Sequence, residues 1–562
     1  MLKNKETFTI TAALPYANGP IHIGHLAGVY IPADIYARYK RLTDNDVAFI
    51  CGSDEHGVAI SLASKKASIS PKELIDKYDN IIKTSFEEFG ISFDNYSRTS
   101  SKIHHQTASN FFIDLYDKNI FIEKETEQLY DAKENQFLAD RYVEGECPKC
   151  NFKEAYGDQC ENCGSTLNAT DLINPKSKLS GNKPSLKKTK HWFLPLNNFE
   201  NFLKKWFLKE KKSDWKTNVY GQVKSWISEG LKPRAITRDI DWGIPVPIKD
   251  AIGKVLYVWF DAPIGYISST IEWAEKEKVD WKPYWQDPNT ELVHFIGKDN
   301  IVFHCVIFPS ILKASEKYIL PSNVPANEFL NLEGEKFSTS KNWAIWLDDY
   351  MKDFPEMEDT LRYVLTANAP ENKDNDFTWK DFQAKNNNEL VAIFGNFINR
   401  VAVLTEKYYD GLTPQISDFN KEEQNLLDEV YSYPKKIGKS LEKFKFREAV
   451  NKMIDLARIG NKYLADQEPW KIIKTPNAEK VKTIMNISIQ ICGILTLVCE
   501  PFLPNTSNKL KEQFNIINTN WNSINKNNPI ISTKIKKSSL IFRKIEDEEI
   551  DFQLQKLQKS KR

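Results

Sequence analysis

The sequence predicts an α/β protein: a parallel-sheet domain split by a cysteine-bearing insertion and followed by an all-α bundle. Three observations carry that expectation. Strand patterns alternate with amphipathic helix patterns over residues 7–117, and the alternation resumes over 254–314. Between those stretches, four of the eight cysteines fall between positions 147 and 163. After about 380 the segments become long, periodic and poor in glycine.

Residues 7–14, TFTITAAL, read as a buried strand running into the turn Pro15-Tyr16-Ala17-Asn18-Gly19-Pro20. A helix is expected from about Ile21 to Lys40, kinked at Pro32. Residues 46–57, DVAFICGSDEHG, read as a second strand ending in a polar loop. Over 70–90 the helix signals are complete: Ser70 as N-cap, Pro71 at the first position, Glu73 closing a capping box, Gly90 as the stop. Another helix is expected from about Lys102 to Asp117. Residues 254–262, KVLYVWFDA, and 291–299, ELVHFIGKD, read as later strands, and 301–314 as an apolar helix. Such alternation builds a Rossmann-like sheet with helices on both faces. Segments 384–409, 420–440, 443–466 and 477–499 form the bundle. The stretch after Pro504 is rich in Asn and Lys, and its end, QLQKLQKSKR, is expected to fray.

The chain has 562 residues, enough for about three to four domains. Hydrophobic residues at 41% and charged residues at 27% exclude wholesale disorder. With 77 basic and 76 acidic residues, the balance excludes coating nucleic acid by bulk charge but leaves room for a local basic groove. The most apolar stretch, 484–503, is interrupted by Asn486, Gln490 and Glu500, so no membrane span is expected. The N-terminus, MLKNKETFTITAAL, has no apolar signal core, so a cytoplasmic location is expected.

Three constellations carry chemistry. His22-Ile23-Gly24-His25 follows the first strand and opens a helix, whose free N–H groups and dipole suit a phosphate. Two imidazoles three residues apart share a face, and Gly24 lets a flat base approach the backbone. Gly334-Glu335-Lys336-Phe337-Ser338-Thr339-Ser340-Lys341 is a hydroxyl-rich loop flanked by lysines, able to fold over a triphosphate. Taken alone, it is more often a solvated surface loop. Cys147, Cys150, Cys160 and Cys163 form C-x2-C-x9-C-x2-C. Four thiolates close a tetrahedral shell, so one structural zinc is expected rather than a redox pair.

In this order, the first two constellations resemble the HIGH and KMSKS signatures of class I aminoacyl-tRNA synthetases. Ala13 to Gly19 (ALPYANG), Trp259 to Tyr266 (WFDAPIGY) and Phe295 to Asp299 (FIGKD) resemble the methionyl-tRNA synthetase family in particular. The resemblance covers about residues 7–500. It implies activation of L-methionine by ATP, with magnesium, to methionyl-adenylate and pyrophosphate. Transfer to the 3′ end of tRNA(Met) follows, serving initiation and elongation.

The resemblance also implies site roles. His22, Gly24, His25, Asp299 and Lys336 would bind ATP. Leu14, Tyr16, Asp54, Trp259, Ala262, Pro263, Tyr266 and His304 would bind methionine. Aromatic faces suit its soft sulfur, and Asp54 would hold its ammonium. Asn396, Arg400 and Trp470 would read the anticodon by donor and stacking contacts. One departure stands out. The family usually has lysine where this chain has Thr339, and Lys341 is expected to supply the missing charge beside Lys336.

The expected organisation is 1–117 and 233–325 for the two halves of the catalytic domain and 118–232 for the connective insertion. Residues 326–383 hold the KMSKS-like loop, 384–504 the anticodon-binding bundle and 505–562 a C-terminal extension. An insertion of this size argues against the isoleucine, valine and leucine synthetases, which carry a larger editing insertion there. The chain stops near where many family members append a dimerising domain, so a monomer is expected. The alternatives are a synthetase for another apolar amino acid, a non-catalytic tRNA-binding relative and a small HxGH nucleotidyltransferase.

Overall fold

A computed structural model describes residues 5–561 except 139, 158, 159, 161, 164, 166, 340, 417, 517–519, 527–533 and 538. Glu161 in the cysteine motif and Ser340 in the lysine-flanked loop therefore lie outside the described residues.

Five strands form the central sheet: β1 (Thr7–Ala12), β2 (Asp46–Ser53), β3 (Asn95–Arg98), β4 (Glu291–Gly297) and β5 (Ala326–Asn327). All pair in parallel, in the order β5-β4-β1-β2-β3. Both faces are covered, so every residue of β1 and β2 after the first is buried, including Thr9 and Thr11 of β1. From β1 the chain builds outward through β2 to β3, then returns to place β4 and β5 on the other side of β1. The crevice at the carboxyl ends of β1 and β4 is thus a topological switch point, where such sheets bind ligands.

The helix after β1 opens at Ile23, passes through a π segment, Leu26–Tyr30, and continues as α1 (Ile31–Leu42). Pro32 has no N–H to give to the preceding turn, and the chain takes up that defect as the wider π turn just upstream.

One expected strand is a helix. Of residues 254–262, only Val255–Leu256 pair as a strand, with Thr237–Arg238. From Val258 the chain is α2 (Val258–Glu277), with Pro263 inside it. Val258, Phe260, Asp261, Ile264, Tyr266 and Ile267 are all buried, so α2 is covered nearly all round through its first turns. A helix buried on every side loses the one-faced periodicity that marks helices in a sequence.

In the insertion, Ile122–Asp131 and Ser185–Leu194 pair antiparallel, and the cysteine module sits between them. Its small core contains Leu138, Tyr142, Val143, Cys147 and Cys160, together with Val58, the first residue of the helix Val58–Ala67 after β2.

The remaining helices include α3 (Glu358–Ala367), α4 (Asn396–Tyr409), α5 (Phe446–Gln467) and α6 (Lys480–Val498). Among the described residues, α6 is the one helix long and apolar enough to cross a membrane, and it is buried in the bundle. Its polar residues are satisfied there: Asn486 donates to the Pro414 carbonyl and Gln490 to Asn486.

The expected frayed end is also a helix. α7 (Asp547–Ser560) starts with a Glu546/Glu549 capping box and buries Ile550, Gln553 and Leu557. Those residues fall on one face at helical spacing, and the face has a partner. Gln553 and Lys556 hydrogen-bond Asp353, and Ser560 and Asn342 bond each other's backbone oxygens. Lys561 pairs with Glu335 at 2.6 Å, so α7 ends against the lysine-flanked loop.

Candidate active site

The carboxyl ends of the sheet build the site. After β1, the chain extends alongside the end of β2. Asp54 N–H donates to the Pro15 carbonyl (2.8 Å), and Ala17 N–H donates to the Asp54 carbonyl (2.9 Å). Asp54 therefore stands beside Tyr16 at a fixed distance. A cavity of about 570 Å³ opens there. Leu14, Tyr16, His22, Gly24, His25, Asp54, Trp259, Ala262, Pro263, Tyr266, Asp299, His304 and Lys336 all line it. The amino-acid and nucleotide residues read from the sequence thus meet in one space, except Lys341, which is exposed and does not line the cavity.

Its apolar end is aromatic. Trp259 meets Phe303 edge to face, with ring centroids 3.9 Å apart. His304 Nδ1 lies 3.0 Å from the Asn300 carbonyl, which can only accept, so the proton sits on Nδ1. Nε2 then accepts from the Tyr266 hydroxyl at 2.9 Å. Burial pushes His304 down to about 4, so this pair is neutral at pH 7. Burial, then the nearby Asp261 charge, pushes the Asp54 carboxyl up, so the cavity favours a cation beside Asp54.

At the other end, the His22 and His25 rings stack 3.7 Å apart. Burial, then each other's proximity in the case of His22, pushes both down, His25 to about 4. Both are neutral hydrogen-bonding rings at pH 7. The lysine-flanked loop is tied to them: Ile23 N–H donates to the Ile345 carbonyl, and Leu347 N–H to the Ile21 carbonyl. Gly334, at φ +80°, makes the turn between Leu330–Leu332 and Glu335–Lys336. The face over Gly24 is filled by the His22 ring and by Phe337, each within 3.2 Å of where a Cβ would stand.

Sequence reasoning missed Phe337, Phe303, His56 and Arg141, all of which line the cavity. Phe337 was in view as part of the loop, but nothing in the sequence aimed it at His22. Arg141 comes from the insertion, and only the folded chain brings it to the sheet.

The four cysteine sulfurs lie within 4.8 Å of one another. Cys147 and Cys163 are 3.9 Å apart, and Cys150 and Cys160 are 3.6 Å apart. A tetrahedral ion bonded to sulfur at about 2.3 Å requires sulfurs about 3.8 Å apart. Lys149 N–H and Asn162 Nδ2 donate to Cys147 and Cys150, as thiolates require. The cluster fits zinc. In the bundle, the Arg400 guanidinium lies 5.0 Å from the Trp470 ring centre, and Asn396 shares the Arg400 face of α4.

The switch-point cavity, the two facing imidazoles and the loop over them define a nucleotide-dependent class I aminoacyl-tRNA synthetase. The family description "tRNA synthetases class I (M)" matches residues 8–402, and "Anticodon binding domain of methionyl tRNA ligase" matches 413–561. The chain belongs to the methionyl-tRNA synthetase family. It is 63% identical to the methionine–tRNA ligase of Christiangramia forsetii, over all of this chain and 82% of that protein. It is 64% identical to that of Flavobacterium psychrophilum, with the same coverage. A solved structure of Mycobacterium tuberculosis methionyl-tRNA synthetase in complex with methionyl-adenylate shares the fold. Its TM-score is 0.80 at 21% identity, over 96% of this chain and 99% of that one.

Proposed function

We propose that this cavity joins L-methionine to ATP and then to tRNA(Met). The observation that carries the reading is the shared lining: Tyr16, Trp259 and His304 face the same space as His22, His25 and Lys336.

Asp54 takes the ammonium, and Leu14 contributes its backbone beside it. Trp259, Ala262, Pro263, Tyr266 and His304 enclose the thioether. A methionine carboxylate oxygen attacks the α-phosphorus of ATP, and the bond to the β-phosphate oxygen breaks. Pyrophosphate leaves; magnesium would accompany ATP as part of the substrate. The carboxylate is already ionised, so this step needs no general base; catalysis is positioning and charge stabilisation. Neutral His22 and His25 donate to phosphate oxygens, Gly24, having no side chain, leaves room for the His22 ring and Phe337 packed over it, and Asp299 holds the ribose. Lys336 stabilises the departing charge, and Lys341 makes good the charge absent at Thr339. A hydroxyl of the tRNA 3′-terminal adenosine then attacks the adenylate carbonyl, releasing AMP.

Asn396, Arg400 and Trp470 take splayed anticodon bases. Cys147, Cys150, Cys160 and Cys163 hold one zinc, which supplies a closed structural cross-link and no chemistry at the cavity.

The test is ATP–pyrophosphate exchange with methionine, leucine and isoleucine in competition. Exchange driven by methionine alone is expected. Exchange driven equally by leucine, or none at all, sinks the reading.

A further inference from the structure

The loop after β2 carries a buried arrangement that the reaction above leaves unused. His56 and Asp261 are both buried, with His56 Nδ1 2.9 Å from Asp261 Oδ2. The other Asp261 oxygen has no hydrogen-bond partner. Next to them is His104, fully buried, with Nδ1 paired to the Ser268 hydroxyl at 2.9 Å and Nε2 without a partner. One ligand-type atom of each of His56, His104 and Asp261 falls within 4.8 Å of the others. Unpaired polar groups this deep are rare, and each calls for a reason.

Two connections point to that reason. His56 N–H lies 3.4 Å from Asp54 Oδ1, so the residue that meets Asp261 through its ring meets Asp54 through its backbone. Asp261 sits in the first turn of α2, between Trp259 and Ala262 and ahead of Tyr266. The His56–Asp261 contact therefore ties the carboxylate that faces the ammonium to the helix that walls the side chain.

We propose that His56 and Asp261 are positioning residues for the amino acid, holding Asp54 at a fixed separation from the Trp259–Tyr266 wall. The proposal rests on Asp54 as the ammonium site. It makes recognition a measured span: an amino acid is accepted when its ammonium and its side chain reach both anchors together. The groups facing the pair are Asp54 and Glu55 on its own loop, His104 and His105 on Lys102–Asp117, and Trp242. Glu55 is already paired with Arg98 at 2.7 Å.

The test compares methionine with desamino-methionine as a competitive inhibitor, in Asp54→Asn, His56→Phe and Asp261→Asn. Asp54→Asn establishes the premise: methionine KM should rise about 100-fold while desamino-methionine binding holds, the scale of a lost charge-assisted contact. His56→Phe should raise methionine KM about tenfold, leave ATP KM within about twofold and narrow the gap between the two ligands. Asp261→Asn keeps an acceptor for His56 and removes a carboxyl that burial pushes up and that, after burial, pushes the Asp54 carboxyl up further. The acid limb of kcat/KM for methionine should move to lower pH, which a packing defect would not do. ATP KM and melting temperature report whether each variant is folded, and Asp261→Asn, being isosteric, stands if His56→Phe does not fold. The proposal is overturned if both variants leave the gap and the acid limb unchanged while Asp54→Asn closes the gap. If Asp54→Asn has no effect, the Asp54 reading fails and the proposal falls with it. A second bound metal per chain, lost in His104→Ala, would also overturn it, because the cluster would then be a cation site.

Discussion

Phe337 lies flat against His22, with ring centres 4.6 Å apart and planes 9° from parallel. The loop that carries Lys336 is thereby stacked on the imidazole pair across the cavity. Such pairs are worth about 0.5–1.5 kcal/mol beyond burial. Phe337→Ala should therefore slow methionine-dependent pyrophosphate exchange by up to about tenfold. Methionine KM should stay put, since Phe337 packs on His22 and Gly24 while Trp259 packs on Phe303. A rise in methionine KM with unchanged kcat would contradict this.

Lys336 lines the cavity and Lys341 does not. Lys336→Ala should cost more in exchange rate than Lys341→Ala. If Lys341 makes good the charge absent at Thr339, Lys341→Ala should still lower the rate more than about tenfold, or about 1.4 kcal/mol of barrier. A rate within about twofold of the parent removes Lys341 from the chemistry.

Arg362 on α3 and Asp34 on α1 form an ion pair at 2.6 Å with both side chains fully buried. Arg362 also donates to the carbonyls of Pro501 and Phe502, so one guanidinium joins the sheet domain to the end of the bundle. Removing one partner of such a pair leaves a buried charge and costs about 3–5 kcal/mol. Asp34→Ala should lose about that much in urea unfolding, and a loss below about 1 kcal/mol would show the pair to be solvated.

Stability should fall with acid. Burial pushes His25, His56 and His304 down to about 4. The unfolded chain takes up protons on these rings near pH 6.5, which the folded chain refuses until about pH 4. Their contribution is complete above pH 6.5 and is lost progressively between 6.5 and 4. Melting temperature recorded from pH 7.5 to 5 should drop below 6.5. A flat profile there would mean that these rings are open to solvent.

Val58 begins the helix after the Asp54–Gly57 loop and packs into the cysteine module's core. Elemental analysis should find one zinc per chain, lost in Cys160→Ser. Because the module buttresses the loop that carries Asp54, zinc removal should raise methionine KM several-fold as well as lower the melting temperature. Unchanged methionine KM in the stripped protein would uncouple the two.

Much of the site was legible because it is made of short, contiguous runs. His22 to His25, Trp259 to Tyr266 and the four cysteines each carry their chemistry within a few residues, whatever surrounds them. The elements that were misread are those whose structure depends on distant partners. α2 hides its helical period because β2, β3 and Lys102–Asp117 cover it on several sides. α7 was expected to fray because a 14-residue helix is marginal in water on its own, even with good helix formers, until Asp353, Asn342 and Glu335 give it a face to dock on.

The sequence alone determined the alternating sheet, the cysteine module, the bundle and the short runs that carry the candidate site residues. These follow from local pattern and side-chain chemistry. The tertiary structure decided which of those groups share a space. It put Phe337 on His22, brought Arg141 to the cavity, left Lys341 outside it and buried His56 against Asp261. Positions 56 and 261 are 205 residues apart, and their contact exists only because packing of the whole sheet domain sets that distance.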